Sequence, residues 1–179
     1  MTTSRAAWLT VAAVASSIIG CRKPEPVSPD SEGTFGPSPS SSQSLVVTRL
    51  RSGPESFTYS SSITESRRVV IRDDAAWRTA WAEMWARTGP SVPPLPAIDF
   101  SRDMIILAAL GQRNSGGYSI TIDSASRATS GAIVWVSKPT PGKCGTLAAL
   151  TQPVDLARVP KVDGNVDFRE REAVSPGCM

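Results

Sequence analysis

The sequence predicts an α+β domain: an antiparallel β-sheet or sandwich with one tryptophan-rich helix packed on it, preceded by a signal peptide and a disordered linker. Three observations carry that expectation. Short apolar runs separated by Gly, Ser, Asn and Pro recur from residue 45 onward, the pattern of strands and turns. One segment, residues 75–88, carries helical spacing instead. Residues 22–44 carry almost no apolar side chains at all.

The N-terminal residues set the location expected for the chain. Arg5 supplies a positive start, residues 6–15 (AAWLTVAAVA) an apolar run, and Gly20 a small residue before Cys21, the layout of a secretory signal. The apolar run is shorter than the roughly 20 residues a spanning helix needs, so it reads as a cleaved leader. Ile18, Ile19, Gly20 and Cys21 form a lipobox, which predicts cleavage after residue 20 and acylation of Cys21. An ordinary signal with a chance cysteine is the alternative. Arg22 stands where an Asp would retain a diderm lipoprotein at the inner membrane, so the expectation is a bacterial envelope protein, lipid-anchored at the outer membrane.

Residues 21–44 comprise the anchor and a Pro/Ser-rich linker holding only Val27 and Phe35 as sizeable apolar side chains, too few to offset the entropy of ordering it. As a flexible coil such a tether reaches roughly 25 to 30 Å. Residues 45–179 are then the single folded domain, about 130 residues, enough for a core of its own.

Composition excludes several functions. Loss of residues 1–20 removes one of the 19 basic side chains, leaving 18 against 16 acidic, so no electrostatic case for nucleic acid remains. The chain has no histidine. That removes the commonest general base and zinc ligand, and with them His-dependent serine or cysteine hydrolysis. No catalytic residues, metal ligands or cofactors are assigned.

Within the domain, residues 45–47 open a strand, Phe57 and Tyr59 alternate in a second, and residues 68–72 (RVVIR) form a third. Asp73 and Asp74 start the helix, and Gly89 with Pro90 stops it. Trp77, Trp81 and Trp85 recur every four residues, with Met84 beside them, so they share one face. Packing of that face onto the sheet is favoured over a sugar platform. Residues 90–96 (PSVPPLP) read as a stiff crossover back to the sheet.

Residues 104–110 (MIILAAL) are continuously apolar, a strand buried on both faces. Tyr118, Ile120 and Ile122 then alternate with polar residues, and residues 132–138 (AIVWVSK) return after the polar turn at 126–131, predicting an antiparallel meander of three strands. The intervening Gln112, Arg113, Asn114, Ser115, Gly116, Gly117 and Tyr118 make a polar hairpin tip, a candidate partner-binding site set against the plainer reading of a structural turn. Asp163, Gly164 and Asn165 read as a second hairpin turn. Asp163, Asn165 and Asp167 alternate as calcium ligands can, but no bidentate carboxylate follows at the usual distance, and a bare turn is preferred.

With Cys21 acylated, Cys144 and Cys178 are left as an even pair in an oxidising compartment, predicting a disulfide. A nucleophilic Cys144 is the alternative, and no His is present to activate it.

The segment from residue 99 to 161, with GQRNSGGYSITI at its centre and TPGKCGTLAALTQPVDLARVPK at its end, together with VVIRDDAAWRTAWAEMW upstream, resembles the protease-complex subunit PrcB family of bacterial lipoproteins. The specific parts are the GQRxSGGYxxxI motif, Pro141 with Gly142, Thr151, Gln152 and Pro153, and Val159 with Pro160. The resemblance implies a non-catalytic protein that associates with a surface protease; Cys144, Cys178 and the SPGCM tail are not part of the pattern. The resulting expectation is a lipid-anchored accessory or binding subunit for another envelope protein, a protease among the candidates. A glycan- or small-ligand-binding lipoprotein is the second class, with exposed Trp as its cue. A His-independent hydrolase is the third, and Ser137 with Lys138 cannot supply it, since strand neighbours face opposite ways.

Overall fold

The computed structural model describes residues 43–50, 61–87 and 92–175. The leader, Cys21, the linker to residue 42, the expected strand at Phe57 and Tyr59, the helix stop at Gly89 and Pro90, and Cys178 lie outside them.

Among the described residues, eight strands and one helix follow in the order β1 (Ser44–Leu45), β2 (Thr48–Arg49), β3 (Ser66–Ile71), α1 (Asp74–Trp85), β4 (Asp103–Leu110), β5 (Thr121–Ala128), β6 (Gly131–Thr140), β7 (Val154–Pro160) and β8 (Asn165–Val174). They form two four-stranded sheets, one ordered β1-β5-β6-β8 and the other β2-β7-β4-β3. All neighbours are antiparallel except β6 and β8, which run parallel over their full ten residues. The predicted sheet or sandwich with one packed helix is therefore present as a sandwich with one mixed sheet.

β4 organises the packing. Met104, Ile106, Ala108 and Leu110 face the first sheet and meet Leu45, Ile122, Ala125, Val134 and Val136 in the core between the sheets. Ile105, Leu107 and Ala109 face the other way and pack with Trp77, Trp81 and Met84 of α1. A strand clothed on both sides cannot alternate in polarity, which explains the unbroken MIILAAL run.

The helix starts where expected: the Asp73 carboxylate accepts a hydrogen bond from the Ala76 amide at 2.8 Å. Trp77 and Trp81 are buried and meet edge to face at 5.2 Å, and Trp85 is partly buried. The proline-rich segment does more than cross over. Its Pro96 and Pro93 carbonyls accept the Trp77 and Trp81 indole N–H at 3.0 and 3.1 Å, so it straps the outside of the helix.

The connections correct five expectations. Residues 104–138 are not a meander, because β4 lies in one sheet and β5 and β6 in the other. The Gly111–Tyr118 stretch is consequently a crossover loop, not a hairpin tip. The turn at Asp163–Asn165 likewise joins different sheets and lays β8 alongside β6; Gly164 at φ 84° sits so close that a Cβ there would meet the Ser130 carbonyl oxygen at 2.2 Å. Turn residues fix a local reversal but say nothing of which sheet receives the next strand. Finally, β5 continues through Ala128, so the true β5–β6 turn is only Thr129 and Ser130, and the expected first strand is broken at exposed Val46 into β1 and β2, one per sheet.

Candidate functional site

One end of the sandwich is built from two loops held together by backbone hydrogen bonds. The first, residues 111–118, leaves β4 through Gly111 at φ 77°. The second, residues 141–152, leaves β6 and enters β7. The Arg113 amide donates to the Thr151 carbonyl at 2.8 Å and the Thr151 amide donates back at 3.0 Å. The Gly116 amide donates to Leu147 O at 3.0 Å, and the Thr151 hydroxyl to Ser115 O at 3.0 Å. Gly117, at φ 83°, is pressed onto the second loop: a Cβ there would lie 2.7 Å from Pro141 Cβ and 2.9 Å from Thr146 Cγ2.

The predicted site residues therefore divide. Gln112 and Asn114 are exposed; Ser115 and Gly116 spend their backbone on the second loop; the Arg113 guanidinium lies 5.8 Å from the Tyr118 ring centroid, with Tyr118 packed on the core. Sequence reasoning missed the second loop as a surface. Leu147 and Leu150 are 82% and 64% exposed, and residues 142–150 are all exposed. The signal was present in the TLAAL run, apolar yet too short and too flanked by Gly for a core element. Two cavities flank the Gly117 ridge. One of about 310 Å³ is lined by Arg113, Tyr118, Lys138, Thr140 and Glu172, and one of about 320 Å³ by Gly116, Pro141, Thr146 and Leu147.

The charges near this end are organised on β8. Glu170 accepts Arg68 at 2.6 Å and Lys138 at 3.0 Å, and Lys138 also reaches Glu172 at 3.3 Å. Partial burial pushes Glu170 up, but the Lys138 and Arg68 cations outweigh it and its carboxyl ends below the usual range. Hydrogen bonds to Glu170 and Glu172 hold Lys138 above its usual value.

Elsewhere, polar clusters are internally engaged. The buried Ser137 hydroxyl donates to Asp123 and accepts from Arg171 Nε at 2.9 Å, while Lys138 points to the other face. A groove of about 630 Å³ at the opposite end, beside Thr48 and Arg158, contains the Arg158–Asp103 pair at 3.8 Å. Asp99 there accepts the Ser101 hydroxyl and amide, which lower its pKa. Among the described residues no three His, Cys, Asp or Glu side chains gather as metal ligands.

These features define a two-sheet domain with two loops fastened together at one end. Residues 104–160, the segment that carries both loops, match the family described as PrcB C-terminal. No curated protein and no solved structure matches the chain.

Proposed function

We propose that the chain is a lipid-anchored, non-catalytic accessory subunit that docks another envelope protein, a protease being the partner its family name suggests. The observation that carries this reading is the pair Leu147 and Leu150, held out to solvent on a loop that is itself fastened to the Gln112–Tyr118 loop. Exposed aliphatic side chains on a rigid scaffold are the material of a protein interface. Anchoring rests on the lipobox and acylation of Cys21, with the 22–44 linker as tether and the outer membrane as destination. Confinement to a membrane would raise the domain's effective concentration near a membrane-bound partner.

With Cys21 acylated, Cys144 and Cys178 are left as an even pair, and a disulfide between them is preferred to a nucleophilic Cys144 in a chain without histidine. Such a bond would fasten the second loop to the tail. Thiol labelling of exported protein that modifies both Cys144 and Cys178 would end that assignment.

The docking reading is tested by crosslinking in intact cells followed by mass spectrometry, comparing wild type with Leu147→Asp and Leu150→Asp. A reproducible partner lost in both variants is expected; unchanged recovery in variants that fold normally overturns it. A second reading, glycan binding, is favoured by Trp135, which is 42% exposed on the outer face of its sheet, beside Ser124 and Arg169 in register. Quenching of tryptophan fluorescence by oligosaccharides that disappears in Trp135→Phe would support it.

A further inference from the structure

The two cavities that flank Gly117 are neighbours twice over. Tyr118 lines one and Gly117 the other; Thr140 lines one and Pro141 the other. A ligand crossing the ridge would meet both, and their chemistries differ.

In the first cavity the Lys138 charge is already answered by Glu170 and Glu172. Arg113 is different. Among the described residues it has no carboxylate partner; its Nη1 donates only to the carbonyl of neighbouring Gln112 at 3.2 Å, and its guanidinium faces Tyr118. A half-buried guanidinium held by a ring, with donors left over, matches a carboxylate bidentately. The second cavity has no charged side chain in its wall and is bounded by Pro141, Cys144, Thr146 and Leu147, a seat for an aliphatic group.

We propose, resting on the docking reading above, that this end binds an extended segment of its partner with an acidic side chain on Arg113 and an aliphatic side chain against Leu147 and Pro141. On an extended chain, side chains of residues i and i+2 share a face about 7 Å apart. The motif proposed is acidic, any residue, aliphatic.

The test is a titration of the ¹⁵N-labelled full chain in detergent with capped peptides Gly-Glu-Ala-Leu-Gly, Gly-Lys-Ala-Leu-Gly and Gly-Glu-Ala-Ser-Gly, and with inorganic phosphate. The first peptide is expected to give saturable shifts at the Arg113 side chain and the Gly116 and Gly117 amides. The Lys and Ser peptides should bind at least roughly tenfold more weakly, and Arg113→Gln should weaken the first peptide by a similar factor. Equal binding of the Glu and Lys peptides, or the same shifts with phosphate alone, overturns the proposal. Crosslinking separates it from its premise. Partner recovery lost in Leu147→Asp but intact in Arg113→Gln sinks the acidic motif and leaves docking standing, whereas recovery intact in both sinks docking itself.

Discussion

Asp155 of β7 reaches across the sandwich to Ile122 of β5, where its carboxylate accepts the Ile122 amide at 2.7 Å. This is where β5 slips register between Ile122 and Ser124, freeing backbone groups from the ladder. Arg49 completes the tie, donating to Ile122 O at 3.1 Å and lying 3.5 Å from Asp155. An irregularity in one sheet is thus satisfied by an ion pair from the other. Asp155→Ala should leave the Ile122 amide without its acceptor and destabilise the domain by about 1 to 3 kcal/mol, with Asp155→Asn in between. Urea unfolding of the two variants checks this.

The parallel docking of β8 depends on two glycines. A Cβ at Gly131, φ 153°, would fall 1.8 Å from the Asn165 carbonyl oxygen. Gly131→Ala cannot be accommodated without pushing β8 off β6, and a loss of more than about 3 kcal/mol is expected, far above an ordinary surface substitution. Gly145, with open space around it, serves as the control: Gly145→Ala should leave the thermal midpoint nearly unchanged.

Acid sensitivity should trace to Glu170. Its pKa is lowered in the folded chain, so its contribution is present above its ordinary value near 4.5 and is lost as pH falls through the lower folded value. Lys138, raised above 10.5, contributes up to that pH and loses its contribution as pH climbs beyond. Stability measured against pH should therefore fall below about pH 4.5, and Glu170→Gln should flatten the acid limb and weaken the alkaline one.

The strap over α1 makes a graded prediction. Trp77→Phe keeps most of the buried surface but leaves the Pro96 carbonyl without its donor, at a cost of about 1 to 3 kcal/mol. Trp77→Ala also opens a cavity beneath the helix, for about 3 to 5 kcal/mol. Proteolysis of the 92–96 segment should accelerate in both, because the indole is its fastening.

Local chemistry was readable in advance and long-range placement was not. Asp73 as a cap, the burial of Trp77 and Trp81, and β4 clothed on both faces follow from residue type and period alone. The loop at 111–118 shows the limit. Its glycines announce a tight turn, yet the same glycines serve a hairpin or a crossover, and only the Arg113–Thr151 pairing decides between them. The sheet assignment of β8 was hidden for the same reason. The surface at Leu147 and Leu150 escaped because apolar residues in sequence read as core, while here the neighbouring loop supplies no cover.

The stitch at Ser44–Arg49 has a kinetic consequence. Ser44 pairs with Ser126 and Thr48 with Arg158, so four residues within a six-residue stretch bind partners roughly 80 and 110 positions downstream. The β5 edge cannot be covered until Ser126 has emerged, nor the β7 edge until Arg158 has. A chain still emerging during synthesis would hold both edges open, and it is in that interval that aggregation and proteolysis would compete hardest with folding.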